Sequence, residues 1–525
     1  MTALKTEATR KVIVIGAGAG GLAAACDLAR QGVAVQVFES AAQVGGRIHQ
    51  QQVGDHLIDS GPTVLTMRWV FDDLLAQCGE SLEQDDFRLE PLQVLARHAW
   101  SDTERLDLYA DIGRSTDAIG AFSGAAQARR FAAFVEETRR IYHHLEAAYI
   151  RCERPTLASM GTDLGAGGLF ALAGLGPFSS LWHSLARHFE DPRLRQLFAR
   201  YATYCGGSPW LAPATLMLIA YVEMRGVWVA SGGMQAIATR LAQCAGRQGA
   251  SIQCGQSVVR ILVEGGRAHG VELTDGSRHL ADALVFNGEA GALNQGLLGE
   301  KATRAVRLDE VTPRSLSALT FALVGRAEGF ELDYHNVFFQ PDYASEFEDV
   351  FNRSRLPGKP TLYLCAQDRL PSRRLMNPES RLQGTERLFC LINAPATGHQ
   401  PSLSDEDIEQ CAHSAFSHLE RCGLRLHSDP TAQRITRPQD FARRFPGSAG
   451  ALYGLAPHGW MSSFRRPAAP TRLPGLFLAG GSAHPGAGVP MATLSGRLAA
   501  ASVMAHLDST RRSHRVRIAG GMSTE

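Results

Sequence analysis

The β-branched run Val12-Ile13-Val14-Ile15 predicts a strand, and the alanine-rich stretch from Leu22 to Ala25 predicts a helix just after it. Between them lies Gly16-Ala17-Gly18-Ala19-Gly20-Gly21, where no side chain exceeds a methyl group. A second apolar run, Ala34-Val35-Gln36-Val37-Phe38, predicts another strand that ends in Glu39. Apolar residues then recur at helical spacing over Trp69–Gly79 and Ala125–Tyr149, opposite charged faces. Pro192–Tyr204 also reads as helical, and Gln235–Gln248 as an amphipathic helix. Strand-like runs follow at Ser257–Glu264, Gly270–Thr274 and Ala283–Asn287, separated by turns at Gly265-Gly266 and Asp275-Gly276. More stand at Ala318–Val324, Asn336–Gln340, Thr361–Ala366 and Arg387–Asn393. Near the C-terminus, Leu476–Ala479 predicts a buried strand, followed by a glycine-rich loop and an alanine-rich helix to about Leu507.

The first glycine cluster is a Gly-x-Gly-x-x-Gly turn with Gly16, Gly18 and Gly21 in register. The first glycine allows the tight turn, the second lets backbone approach a pyrophosphate, and the third lets helix and strand pack closely. The helix start offers unpaired N–H groups and partial positive charge to phosphates. Glu39 falls where an acid meets ribose hydroxyls. After it come Gly45-Gly46-Arg47 and Asp59-Ser60-Gly61-Pro62-Thr63. Glycines bring backbone close to a ligand, and an arginine beside them can pair with pyrophosphate.

These motifs resemble the extended dinucleotide site of FAD enzymes in the amine oxidase and carotenoid desaturase superfamily, so FAD is the expected cofactor rather than NAD. The C-terminal loop, Gly480-Gly481-Ser482-Ala483-His484-Pro485-Gly486-Ala487-Gly488-Val489-Pro490, is similar to the Gly-x-x-His-Pro-Gly-x-Gly-Val-Pro signature of bacterial-type phytoene desaturases. The resemblance extends from about residue 10 to about residue 508 and includes Phe464-Arg465-Arg466-Pro467. Where that family more often has a proline-containing segment, this chain has Met67-Arg68-Trp69, a form similar to the 3,4-desaturases of purple bacteria. The resemblance implies desaturation at C-3,4 of acyclic 1-hydroxy or 1-methoxy carotenoids such as 1-hydroxyneurosporene. Phytoene or another acyclic carotenoid is the alternative substrate, and an amine oxidase the distant one. Against the latter, neither Cys26 nor Cys78 is placed to link a flavin.

The expected architecture is α/β (α+β overall). A Rossmann-like FAD-binding domain, formed by 10–75, 228–300 and 470–508, interleaves with a mixed-sheet substrate domain of 76–227 and 301–469. Residues 509–525 are expected to form a flexible basic tail. The cofactor contacts implied are Gly16, Gly18, Gly21, Glu39, Gly46, Arg47, Gly61, Pro62, Thr63, Val258, Gly480, Gly481, Gly488, Val489 and Pro490. Val258 is assigned because a strand ending near it supplies backbone to adenine in the superfamily. Desaturation sends a hydride from an allylic C–H to flavin N5 while a proton leaves the neighbouring carbon, so orientation and water exclusion outweigh acid–base machinery. His484 is the candidate proton acceptor, and its alternative role is to pin the loop.

Composition narrows the setting. Lys+Arg is 53 and Asp+Glu 52, so charge gives no footing for a nucleic-acid partner. The ten cysteines form no C-x-x-C pair, which fits a reducing cytosol. His143-His144-x-Glu146 lacks a third ligand, and no metal is expected. Met1 to Lys11 is polar, so no secretory leader is expected. No stretch reaches the roughly 20 apolar residues that span a bilayer. Leu164–Phe178 and Leu211–Val222 come nearest; the first is either a buried segment or an interfacial one. Arg511–Arg517 is either a frayed solvated end or a contact for anionic headgroups. A carotenoid dissolves in the bilayer, so the resemblance implies a cytoplasmic enzyme held peripherally at the inner or photosynthetic membrane. The electron acceptor stays open.

Overall fold

The computed structural model describes residues 10–156, 179–308, 313–370, 384–398 and 403–519, and of residues 511–519 the backbone alone. Two sheets organise it. Five parallel strands lie in the order Leu476–Leu478, Ala283–Phe286, Lys11–Ile15, Ala34–Glu39, Ser251–Cys254. Val12, Ile13 and Val14 have no exposed surface, as expected for a central strand covered on both faces. The helix Ala19–Ala29 is buried along its whole length, between Met234–Arg247 and the C-terminal helix Val489–Ala519. Its alanines and glycines permit this approach, because little side chain stands between the backbones. Leu22 and Leu28, fully buried, contribute roughly 2 kcal/mol each.

Seven strands form the second sheet, in the order Arg425–Thr436, Ser317–Glu328, Glu386–Ala394, Leu362–Ala366, His335–Phe338, Val94–Ala99, Arg105–Tyr109. It is mixed: the pair His335–Phe338 and Val94–Ala99 is parallel and every other pair antiparallel. The strand Glu386–Ala394 shows how the sheet separates core from cavity. Leu388, Cys390 and Ile392 face a core shared with the helix Asp405–Arg421, whereas Phe389, Leu391 and Asn393 face a cavity. Helices Ile112–Ser123, Ala125–Leu145, Leu181–His188 and Pro192–Ala199 pack against one another and the outer strands.

Three expectations need correction. The hairpin Gln50–Val53/His56–Asp59, assigned to the nucleotide domain, packs on the mixed sheet. Gln51 donates to Thr436 at 2.8 Å, and the Asp59 backbone exchanges bonds of 3.0 and 2.8 Å with the Gln367 amide. The C-terminal helix does not end near Leu507 but continues to Ala519, so the basic run extends it. Val258 opens a strand instead of closing one: Val258–Glu264 begins a three-stranded antiparallel meander, because the parallel strand before it stops at Cys254. The apolar segment Leu164–Phe178 lies outside the described residues. Among those residues, no helix is long and apolar enough to cross a membrane.

Candidate active site

A continuous cavity of about 810 Å³ runs between the two sheets. Its lining includes Gly16 and Gly18 from one end of the chain and Gly480, Gly481, Gly488, Val489 and Pro490 from the other. Glu39, Gly46, Arg47, Gly61, Pro62, Thr63 and Val258 also line it. Gly21 does not, for the reason its place in the motif demands: a Cβ there would stand 2.0 Å from the Gly16 carbonyl oxygen.

At the nucleotide end the loops are bonded to one another. The Gly45 N–H donates to Ala17 O at 2.9 Å, and Gly18 bridges Gly45. A Cβ on Gly46 would come within 3.2 Å of the Gly18 Cα, so the cradle is closed by backbone. The helix Ala19–Ala29 has no side-chain cap, which leaves its first N–H groups for an anion. Glu39 accepts the Ala17 N–H at 2.7 Å and the Ala41 N–H at 2.8 Å, one on each oxygen. The Ser40 hydroxyl also donates to Oε1 at 3.3 Å, and since a carboxylate offers about four lone-pair sites, capacity for one ribose hydroxyl remains. Arg47 gives one nitrogen to Glu289 at 2.6 Å and to Ala451 O, while its Nε is buried without a partner among the described residues. That orphaned donor fits an anionic oxygen of a dinucleotide. Asp59 does not line the cavity; its carboxylate accepts the Met234 N–H at 2.8 Å, at the start of the helix Met234–Arg247, and burial raises its pKa.

At the other end the C-terminal loop is held open by its neighbours. Gly480 has φ +103°, and a Cβ on it would sit 2.7 Å from Asn287 Oδ1. Gly481 has nothing within 4 Å of a built Cβ, so it leaves room for a flat ligand. Arg466 donates to Gly481 O at 2.8 Å and Tyr453 O at 3.0 Å, which gives this arginine a loop-holding role. Tyr149 donates to Ser463 O at 3.0 Å, and burial raises its pKa. His484 is 3 % exposed and does not line the cavity, although Pro485 beside it does. Its Nε2 lies 2.8 Å from Cys152 O, and its ring meets Tyr149 edge-on at 4.9 Å. Burial lowers its pKa to about 4. A proton acceptor for a substrate in the cavity would have to face it, and this imidazole faces the helical wall.

The rest of the lining is the chamber beyond the cofactor loops. Leu216, Leu218, Ile219 and Val222, from the apolar stretch noted at Leu211–Val222, form one side. Val337, Phe389 and Leu391 of the mixed sheet form another. Sequence reasoning missed Asn287, whose amide donates to Gly16 O at 3.2 Å and whose oxygen abuts Gly20 and Gly480. It also missed Glu289. The available signal was their position, immediately after the buried strand Ala283–Phe286, where ligand-facing residues of parallel sheets stand.

The sequence model of flavin containing amine oxidoreductases matches residues 19–504. A hydroxyneurosporene desaturase of Rubrivivax gelatinosus is 52% identical over 517 residues, covering 98% of this chain and 97% of the relative. One of the same name from Cereibacter sphaeroides is 44% identical over 505 residues, covering 96% and 99%. An oxidoreductase structure from Methanosarcina mazei is similar in fold, with a TM-score of 0.59 at 18% identity, covering 94% of this chain and 99% of that one. The glycine cradle, the buried Glu39 carboxylate and the orphaned arginine nitrogen fit a dinucleotide such as FAD. The chain belongs to the flavin containing amine oxidoreductase family and is an FAD-dependent oxidoreductase.

Proposed function

We propose that this enzyme introduces a C-3,4 double bond into acyclic 1-hydroxy or 1-methoxy carotenoids such as 1-hydroxyneurosporene. The observation that carries the reading is the continuity of one cavity from the Gly18 and Gly46 loops into the apolar chamber at Ile219, Val222 and Leu391. The likeness to the two hydroxyneurosporene desaturases, over nearly the full length of each, supports the substrate class.

FAD, when bound, supplies the two-electron acceptor for the hydride. The chain does the rest. Gly16, Gly18 and Gly46 hold the pyrophosphate, Glu39 the ribose, Arg47 Nε an anionic oxygen, and the Gly480–Pro490 loop the flavin. The start of the helix Val489–Ala519 favours negative charge nearby. The chamber orients the polyene and keeps out water, which matters because the conjugated chain itself spreads the positive charge left by hydride loss. Burial in the chamber favours the polyene by roughly 25 cal/mol per Å² of apolar surface. His484 acts as a loop pin through Cys152 O. The enzyme works from the cytoplasmic side at a membrane surface, where so apolar a substrate is dissolved.

Expression in a cell that accumulates 1-hydroxyneurosporene tests this reading. Pigment extracts gain a product with a longer conjugated system, absorbing at longer wavelength. Conversion of phytoene by the purified FAD-loaded enzyme, with 1-hydroxyneurosporene left untouched, overturns it.

A further inference from the structure

The apolar chamber carries a polar wall that neither the flavin loops nor hydride removal uses. Arg200 lines the cavity, is 6 % exposed, and its Nε has no hydrogen-bond partner among the described residues. The buried carboxylate nearby, Glu223, is committed elsewhere: it accepts from the phenols of Tyr201 and Tyr204. Burial works against the charge on Arg200, but Tyr204 and Glu223 outweigh it and keep the guanidinium protonated. Thr320, Thr361 and Tyr343 also line the cavity; the buried hydroxyls of Thr320 and Tyr343 have no partner among the described residues, and that of Thr361 stands beside the buried Glu346 carboxylate. One orphaned polar group in a chamber is a defect; several lining the same chamber point to a polar ligand atom received there.

The sheet register relates Thr320 to the Gly61-Pro62-Thr63 loop. Thr320 and Tyr363 stand opposite Leu391 from either side, so the three form a lateral row facing the cavity. The Tyr363 hydroxyl lies 2.6 Å from Thr63 Oγ1, in the Gly61-Pro62-Thr63 loop, and 2.7 Å from His335 Nδ1. Thr320 therefore shares a row with a side chain bonded to the segment assigned to the flavin.

We propose that Arg200, together with the hydroxyls of Thr320, Thr361 and Tyr343, is the subsite that receives the oxygen on C-1 of the polyene. This rests on the function proposed above. Arginine donates and never accepts, so its Nε–H serves a hydroxyl or a methoxyl oxygen alike. A threonine or tyrosine hydroxyl can donate to either oxygen, but only a substrate hydroxyl can also donate back to it, so it favours the hydroxyl over the methoxyl. The C-1 oxygen is attached two carbons from C-3, so holding it fixes which of several similar CH–CH bonds meets the flavin. Arg200 is thus a specificity-determining residue that sets the site of oxidation by anchoring one end of the substrate.

The test measures dissociation constants of the FAD-loaded enzyme for 1-hydroxyneurosporene, its 1-methoxy analogue and neurosporene, which lacks the oxygen, by quenching of protein fluorescence. Wild type prefers the hydroxylated polyene over neurosporene by on the order of tenfold to a hundredfold, the range of a hydrogen bond to a charged group. Arg200→Met brings that ratio to within about twofold, Arg200→Lys restores part of it, and Thr361→Val reduces the hydroxyl-over-methoxyl preference. A full preference in Arg200→Met overturns the subsite, as does an equal loss on all three polyenes. Should Arg200→Met fail to fold, Thr320→Val and Thr361→Val read the same ratios, and unchanged ratios in both overturn it. A wild-type enzyme that binds none of these polyenes overturns the proposed function and the subsite together. One that converts them, with the Arg200→Met preference intact, overturns the subsite alone.

Discussion

Gly496 on the C-terminal helix lies so close to Gly20 on the first helix that a Cβ on Gly496 would stand 1.9 Å from the Gly20 carbonyl oxygen. Two helices from opposite ends of the chain thus touch backbone to backbone, just after the two loops that face the cavity. A Cβ on Gly20 would in turn meet Ala492 O at 2.8 Å and Gly480 N at 2.9 Å. This contact holds the Gly16–Gly21 turn and the Gly480–Pro490 loop beside each other.

Gly496→Ala cannot be absorbed by a side chain moving aside, because the obstacle is backbone. The expected cost is about 1–3 kcal/mol, with loss of bound flavin. Gly246→Ala is the control: it lies exposed in the helix Met234–Arg247 with nothing within 4 Å of its built Cβ. That change should stabilise by roughly 0.5–1 kcal/mol. Thermal midpoints and flavin content after gel filtration of both variants decide; equal behaviour would refute the backbone-contact account.

Arg47 carries two duties that can be separated. Arg47→Met strands the 6 % exposed Glu289 carboxylate and is expected to cost about 3 kcal/mol. Adding Glu289→Gln should recover most of that stability. It should not recover flavin affinity, because the Nε donor is still missing. A double variant that binds FAD as tightly as wild type would remove Arg47 from the cofactor site.

Four buried histidines and the half-buried His458 give the protein a steep acid limit. Burial lowers His98 and His335 to about 3, and His49, His458 and His484 to about 4. The unfolded chain takes up these protons near pH 6.5, well before the folded chain does. Stability is therefore complete above about pH 6.5 and falls as pH drops toward 4, by about 1.4 kcal/mol per pH unit for each histidine. His98→Asn keeps a donor for Leu106 O, which His98 Nδ1 approaches at 3.1 Å, and removes one titrating group. Denaturant titrations at pH 6.5, 5.5 and 4.5 should show a slope shallower by about one proton.

The two roles considered for His484 differ by a large factor. Loss of a general base costs about a hundredfold or more in kcat. His484→Gln preserves a donor toward Cys152 O and is expected to stay within about threefold of wild type, far short of that loss. His484→Ala should lose flavin during purification. A hundredfold fall in kcat for His484→Gln with full flavin occupancy would make it the proton acceptor.

The glycine loops and the strands that feed them could be read directly, because each is a local pattern: a β-branched run, a turn without side chains, an alanine-rich helix. The strand Ser251–Cys254 could not, since it lies at a sheet edge with exposed or half-buried residues and carries no apolar run. Asn287 and Glu289 were missed for another reason. Their importance comes from what they touch, Gly16 and Gly480 in one case and Arg47 in the other, and no spacing encodes that.

By itself the sequence determined that a dinucleotide would be held by backbone, and that the two ends of the chain would supply it, because glycine spacing restricts what a few adjacent residues can do. Only the tertiary structure decided that His484 faces the helical wall, that Asp59 holds a helix start, and that Arg200, Thr320, Thr361 and Tyr343 line one chamber. The direction of a side chain depends on packing between segments hundreds of residues apart, and one-dimensional patterns carry no information about which of those segments will meet.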